Sequence, residues 1–539
     1  MLPIPTRAAL AAFAACVLTL ALGITLTSAA AVSVAGAGFV GLALALAATM
    51  PLGRRLRRER LEFAWWLEHG TGRAAGAAIP GAPFEVRCYV RHRGAMNLDA
   101  TGLEPIVPSA VKVERCPTAI RLAARTRTEF RLTLLAPAAG RLVLHGLALR
   151  LRGPLGFFET PLYFPNPLVI KVLPRAAAGR PRATAMRQPA STARAGRAVV
   201  RHRGGGTELH ELRELVPGDP FKAIAWKASA RRGRLMVKEV EEEIQQTRWI
   251  LLDVSGTMRA GPPGRRKLDY AIEVAAAAAT EAEAAGDRVG LITFDARVVT
   301  HLAAHEGKSQ RLRIYDALLG ATEIVDEDLT DIDEQALAEL VARYVRQQDG
   351  VDFYRGHDGV DGPGLVDHVR RALGEMRPSE RAAVRASSPM SQWLRRFCRA
   401  RGLPLPHRAD AGDHGKSLAL ADALQRVGGR SRSPTSILVC SDFDGVLDPS
   451  PIVAALRLVR AHRHRVTVLL PDAMSQAPPA TEPLAQTLAR VYARSEERRL
   501  RETRELLGRL GIPALVARRG ESPHLVAARA CRAALRRAA

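Results

Sequence analysis

Aromatic side chains are scarce: Phe, Trp and Tyr make up 5% of the 539 residues. No cluster interleaves them with basic residues, so the chain lacks the stacking platform that single-stranded nucleic acid requires. Cysteine is scarce as well. Six residues (Cys16, Cys88, Cys116, Cys398, Cys440 and Cys531) are scattered with no CxxC pair, which argues against a disulfide framework or a zinc ribbon and predicts reduced thiols in a cytoplasmic compartment. The third absence is charge: the 46 residues between Arg7 and Arg54 carry none. Two membrane-spanning helices need about 40 apolar residues, and the small residues from Thr27 to Ala35 suit the turn between them.

Charge is abundant elsewhere. Lys and Arg total 79 against 54 Asp and Glu, a formal net charge of +25. Such a balance suits an anionic surface, phospholipid or nucleic acid. The basic residues are mostly Arg spread along the chain, and with no stacking surface a nucleic-acid partner is not expected. Five Arg fall within the seven residues Arg54–Arg60. Positive charge flanking a span marks the cytoplasmic side, and Arg7 marks the same side at the other end. Residues 8–53 therefore read as a transmembrane hairpin with the bulk of the chain cytoplasmic. A signal peptide cleaved near Ser28 is the competing reading, but it leaves the second apolar run, Val32 to Met50, unexplained.

Composition divides the remainder. Residues 54–81 read as a juxtamembrane connector, helical over 55–79 and containing Trp65 and Trp66. Residues 82–175 hold short alternating runs such as FEVRCYVRHR and RLVLHGLALRLRG, broken by Gly and Pro, which predict a small antiparallel β domain. An Arg-, Ala-, Ser- and Pro-rich linker spans 176–198. From 248 to 539, apolar strands (WILLDV, RVGLITF, SILVCSD, RVTVLLP, IPALVA) alternate with helical segments, the pattern of a parallel sheet covered on both faces. In such sheets ligands bind beyond the carboxyl ends of the strands. Residues 321–407 break the alternation and read as an insertion on one edge of the sheet, with an acidic cluster (Asp326, Glu327, Asp328, Asp331, Asp333, Glu334) and a Gly/Asp-rich run.

The chemistry concentrates at DVSGTM, Asp253 to Met258, directly after a strand. Asp253, Ser255 and Thr257 at alternate positions aim three oxygen-bearing side chains from one turn, part of the oxygen shell that Mg²⁺ takes. A plain helix N-cap is the bland alternative. The D-x-S-x-T arrangement resembles the metal-ion-dependent adhesion site of von Willebrand A-like (vWA) domains. In that pattern a later strand delivers a second Asp, here Asp442. The usual Thr from an intervening loop is matched by Ser417, a departure from the family's residue. The resemblance implies a doubly wound α/β vWA-like fold and a site for Mg²⁺ or Mn²⁺ held by Asp253, Ser255, Thr257, Asp442 and Ser417. An acidic partner side chain would complete the coordination.

The segment 199–247 contains GTELHELRELVPGDPFKAIAWKASARRGRLMVKEVEEE. Its LRELVPGDP run, I-x-W-K-x-S-A-R and G-R-L-M-V-K-E resemble the signature of the domain of unknown function 58 family. Members of that family begin with two spans and a β domain, and the resemblance implies work beside a MoxR-type AAA+ ATPase at the bacterial inner membrane. Trp226, Lys227 and Arg231 offer an amphipathic surface; packing onto the sheet and contact with a partner or phosphate both stay open.

Two look-alikes compete. DFDGVLD, Asp442 to Asp448, matches the nucleophile motif of haloacid dehalogenase-type phosphatases, with Asp442 attacking a phosphoryl group and Asp444 as acid/base. That chemistry needs a downstream Lys and an Asp pair, yet after Asp448 there is no Lys and one Asp, Asp472. HGKS, His414 to Ser417, ends like a phosphate-binding loop, but Asp410 stands where a Gly is required. The expectation is thus a non-enzymatic, metal-dependent binding or scaffold protein anchored in the membrane, with a phosphatase or a basic nucleic-acid binder as the alternatives.

Overall fold

The computed structural model describes residues 3–59, 61–67, 78–153, 155–178, 199–200, 208–216, 221–243, 246–356, 359–374, 384–408, 415–429, 434–472, 482–518 and 520–536. The chain forms two compact units, Met1–Leu173 with Leu319–Ala409, and Pro174–Leu318 with Asp410–Ala539.

The first unit starts with two apolar helices, α1 (Arg7–Thr25) and α2 (Ala29–Glu59). Arg7–Thr25 and Ala29–Met50 are each long and apolar enough to cross a membrane. The helices pack closely. Phe13 and Phe39 meet edge-on with ring centroids 5.5 Å apart, and any side chain at Gly38 would run into Cys16 Sγ, the small-residue approach on which apolar helix pairs rely. Both ends of this hairpin touch the β domain at one place. Ile4–Pro5 pairs antiparallel with Phe158–Glu159, and Thr49, nearly fully buried, lies against Gly153.

The β domain consists of two antiparallel sheets. One joins Ile4–Pro5, Phe158–Val172, Gly140–Arg152, Leu98–Ile106 and Ala119–Leu122; the other joins Glu62–Leu67, Pro83–Arg91, Arg127–Leu135 and Lys112–Arg115. Val86, Leu132 and Leu134 from one sheet meet Leu142, Leu144 and Ile170 from the other in a shared core. The connector is a correction to the sequence reading. Instead of a helix over 55–79, α2 ends at Glu59 and a strand follows at Glu62–Leu67, paired with Pro83–Arg91. Phe63, Trp65 and Leu67 all pack in this core, and Trp65 is only 5% exposed. A period of two buries them on a strand, where a helix would have spread them around its circumference.

The stretch read as an insertion also belongs to the first unit rather than to an edge of the later sheet. Its helices Glu334–Gln348, Gly362–Leu373 and Pro389–Arg401 enclose Leu337, Val341, Leu365, Val369, Leu394 and Phe397. Tyr344 reaches His145 of the β domain at 3.1 Å, and Glu323 pairs with Arg141 at 3.4 Å and Arg399 at 3.1 Å. The acidic cluster serves local structure: Asp333 caps the first of these helices through the Ala336 N–H at 2.7 Å, and Glu327 accepts from the Ser387 hydroxyl at 2.8 Å.

The second unit is built on a six-stranded sheet. Its strands are β1 (Thr247–Asp253), β2 (Arg288–Phe294), β3 (Val298–His305), β4 (Thr435–Cys440), β5 (Arg465–Pro471) and β6 (Ala514–Ala517), in the spatial order β3-β2-β1-β4-β5-β6. All neighbours run parallel except β3, which pairs antiparallel with β2 at the edge. Helices α3 (Lys267–Ala284) and α7 (Pro523–Arg536) cover one face. Helices α4 (Lys416–Gly428) and α5 (Ser450–Ala461), with part of α6 (Pro483–Arg509), cover the other through Leu420, Leu424, Leu456, Val459 and Leu507. Alternate residues of β1 therefore sink into opposite layers, which is why the whole strand reads as apolar. The signature segment contributes a small antiparallel sheet of Val199–Val200, Met236–Glu243 and Glu208–Glu214, and a short helix, Trp226–Arg232. The turn at 217–220 and most of the 176–198 linker lie outside the described residues.

Helix α3 carries Glu273, 9% exposed, which accepts a hydrogen bond from the Arg175 N–H at 2.8 Å. Burial is the main cause that raises its pKa from 4.5 to about 7. A carboxyl raised in the fold stabilises it below the unfolded pKa, and that stability is lost as pH rises through the folded value. Between about pH 4.5 and 7.5 the native chain should lose up to about 3 kcal/mol relative to Glu273→Gln. Melting the pair at pH 5 and pH 8 checks this, and a difference that is flat with pH would refute it.

Candidate functional site

The order β2-β1-β4-β5 makes the gap between β1 and β4 the point where the strand order reverses, although the strands themselves stay parallel. The chain leaves β1 toward α3 on one face and β4 toward α5 on the other, so the two carboxyl ends open beside each other, the usual place for a ligand in an open α/β sheet. Asp253 ends β1, and Asp442 lies two residues beyond the end of β4. Both are fully buried.

Each carboxylate first organises its own turn. Asp253 Oδ1 accepts from the Ser255 N–H at 2.9 Å and Asp442 Oδ1 from the Asp444 N–H at 3.0 Å. Ser441 donates its hydroxyl to Asp253 Oδ2 at 2.6 Å, tying the two turns together. Thr257 donates to Asp442 Oδ1 at 3.1 Å and lies 3.1 Å from Ser255 Oγ. The turn after β4 is tight enough to hold Phe443 at φ +54°, a conformation that non-glycine residues enter only under constraint. Arg499 of α6 donates to the Asp442 carbonyl and pairs with Glu496.

Two lysines close the cluster. Lys416 Nζ lies 2.7 Å from Asp253 Oδ2 and 2.8 Å from Asp442 Oδ1, and donates to the Asp444 carbonyl at 3.0 Å and Thr257 Oγ1 at 3.2 Å. Lys267 Nζ reaches the other oxygen, Asp442 Oδ2, at 2.6 Å. Both amines are nearly buried, at 6% and 4% exposure for their residues. Burial alone would lower the Lys416 amine, but Asp253 and Asp442 outweigh it and hold it above the ordinary lysine range. Burial likewise pushes Asp442 up, but Lys416 and then Lys267 prevail and hold its carboxyl well below the usual carboxylate range.

Both lysines begin helices, Lys267 the first residue of α3 and Lys416 the first of α4. A helix N-terminus carries partial positive charge and disfavours a cation, so the carboxylates and not the helices hold them there. Gly415, at φ +89°, caps α4, and a Cβ at that position would stand 2.9 Å from the Ala296 carbonyl.

Four of the five residues expected from the sequence, Asp253, Ser255, Thr257 and Asp442, are brought together. Ser417 is buried in the first turn of α4, but the amine of its neighbour Lys416 is the group that reaches both carboxylates. Sequence reasoning missed Lys416, Lys267, Ser441 and Arg499. The signal available for Lys416 is a lysine at a helix start inside a Gly-Lys-Ser run, a pattern that also resembles the end of a phosphate loop.

The oxygens gathered here are of the kind that Mg²⁺ or Mn²⁺ takes, but as folded they do not fit such an ion. Two carboxylates already face two ammonium groups, and Lys416 Nζ stands at hydrogen-bond distance from Asp253, Asp442 and Thr257, three of the five residues that would form the shell. Among the described residues, no group of three or more His, Cys, Asp or Glu side chains is arranged to hold a metal. Trp226, Lys227 and Arg231 lie elsewhere on the unit and are exposed, with Trp226 against Phe221 at 5.8 Å between ring centroids.

Uncharacterized proteins of Mycobacterium tuberculosis and Mycobacterium bovis are 26% identical to this chain over 108 residues, 20% of this chain and 34% of theirs. The chain thus spans about a third of the length of these curated relatives. Among solved structures, a protein of unknown function from Porphyromonas gingivalis is 18% identical over 21% of this chain and 47% of its own, with a TM-score of 0.16. The native alpha-2-macroglobulin of Escherichia coli, from domain MG7 to the C-terminus, is 9% identical over 81% of this chain and 55% of its own, also with a TM-score of 0.16. Residues 211–351, which run from the signature segment through the first three strands of the sheet, match the family described as protein of unknown function DUF58.

Proposed function

We propose that this chain is a membrane-anchored, non-enzymatic binding or scaffold protein whose second unit is a vWA-like domain. The strand order, the antiparallel edge strand and the Asp253/Asp442 pair at the switch point support the vWA-like reading. The observation that carries the binding role is the surface of the signature segment. Phe221 is 75% exposed and Trp226 58% exposed, side by side, with Lys222, Lys227, Arg231 and Arg232 also exposed around them. An exposed aromatic pair rimmed by cations is the composition of an interaction site, and Trp and Arg are the residues that most often dominate one. The partner that suits it is a protein surface offering an apolar pocket edged by carboxylates, and a MoxR-type AAA+ ATPase, implied by the family resemblance, is the first to test.

A phosphatase using Asp442 and Asp444 is disfavoured because Asp442 is buried and both its oxygens are bound by lysine amines. The inner membrane, with residues after 54 in the cytoplasm, is the proposed location; the two apolar helices support the anchor. Trp226→Ala should weaken binding of the ATPase by the detergent-solubilised chain at least tenfold, a loss of ~1.4 kcal/mol or more. Lys227→Glu with Arg231→Glu should weaken it further and remove most of its salt dependence. Affinity unchanged in both variants would sink this surface as the docking site.

A further inference from the structure

We infer that the Lys416 ammonium takes the place of a divalent cation at the switch point of the sheet, so that the adhesion-type turn is closed by an internal charge and works without metal. Lys416 Nζ has four oxygens within 3.2 Å: Asp253 Oδ2, Asp442 Oδ1, Thr257 Oγ1 and the Asp444 carbonyl. They come from two turns, after β1 and after β4 on adjacent strands, and the cation delivered by the start of α4 bridges them. An ammonium offers three protons and no acceptor, and here it meets only acceptors. Lysine is almost never buried unless paired, yet this one is 6% exposed and sits at a helix start, where the local dipole repels it. The charge also balances, since Asp253 and Asp442 face Lys416 and Lys267. A divalent ion would have to expel at least one ammonium from a buried position and leave it without its carboxylate.

The same closure bears on recognition. With Asp253 and Asp442 fully buried and the amine between them, a partner carboxylate has no metal to complete. Binding, where it occurs, uses another surface. The inference stands apart from the docking reading at Trp226, which requires no metal, so failure of either leaves the other open to its own test.

The experiment is a metal titration of the full-length chain in detergent, followed by calorimetry and by melting, with Mn²⁺ as the probe. The native chain is expected to give no heat of binding at this site, and its Tm should be the same in EDTA and in millimolar Mn²⁺. Lys416→Met, which keeps the length of the side chain and removes its charge, is expected to melt lower in EDTA and to regain Tm as Mn²⁺ is added. That gain should vanish when Asp253→Asn is added to Lys416→Met. Stoichiometric Mn²⁺ binding by the native chain, with a Tm that falls in EDTA, would overturn the inference whether or not the variant folds. A folded Lys416→Met chain indifferent to Mn²⁺, or a gain that survives Asp253→Asn, would overturn it as well.

Discussion

Asp442→Ala is expected to destabilise the second unit by about 3–5 kcal/mol, the cost of removing one partner from a buried ion pair. Two amines lose their counter-charge at once, since Lys267 Nζ and Lys416 Nζ lie 2.6 and 2.8 Å from the two oxygens of this carboxylate. Lys416 keeps Asp253 at 2.7 Å, whereas among the described residues Lys267 keeps only the outlying Asp444 carboxylate at 3.9 Å. A unit of this size should then melt on the order of 10 °C lower. Asp442→Ala combined with Lys267→Met should recover part of the loss, because the second change removes the stranded charge, and with Lys267→Met alone as the fourth chain the cycle gives the coupling energy of the pair. Circular dichroism melts of the four chains supply the comparison. A native-like Tm in Asp442→Ala would mean that the lysines find water, and that the cluster is not closed. Asp442 is depressed and Lys416 raised, so the first stabilises at any pH above the unfolded carboxylate value and the second at any pH below the unfolded lysine value. The stabilisation that these two charges give the native chain should therefore be constant from about pH 5 to 9.

Alkaline phosphatase fused at Ala29 should be active in the periplasm, and the same enzyme fused at Ala539 should not. This is an all-or-none difference, because two spans of about 20 residues each return the chain to the side on which it started. Two features carry the expectation. Arg7 and the Arg54–Arg60 cluster flank the uncharged run at both ends, and positive flanks stay cytoplasmic. In the fold, residues at both ends of the hairpin meet one region of the β domain, Ile4–Pro5 on Phe158–Glu159 and Thr49 on Gly153, as a hairpin requires and a single span forbids. A chain without residues 1–53 should leave the membrane pellet for the soluble fraction. Periplasmic activity from the Ala539 fusion would reverse the orientation.

Properties of short stretches were legible in the sequence alone. A run of 46 uncharged residues reads as a hairpin because the bilayer selects on composition and length, which need no knowledge of the rest of the fold. The apolar strands WILLDV and SILVCSD were readable because a strand buried on both faces is apolar at every position. Once both are placed in a parallel sheet, Asp253 and Asp442 must lie at the same edge, since parallel neighbours share a direction. The tertiary structure alone decided what those carboxylates meet. Lys416 and Lys267 arrive on helices that start 163 and 14 residues after Asp253, and the direction in which a lysine at a helix start extends depends on the charges packed beside it. Trp65 is a similar case: a short run of apolar residues suits helix or strand, and the pairing with Pro83–Arg91 settles it. Residues 321–407 pack with the β domain through Glu323 and Tyr344, contacts that span roughly 180 to 200 residues in part, a separation across which local patterns carry no signal. The sequence thus determined which oxygens collect at the switch point, because strand ends and turns are local. Whether a metal or an ammonium balances them was decided by the packing of distant helices, because charge pairing acts through space and not along the chain.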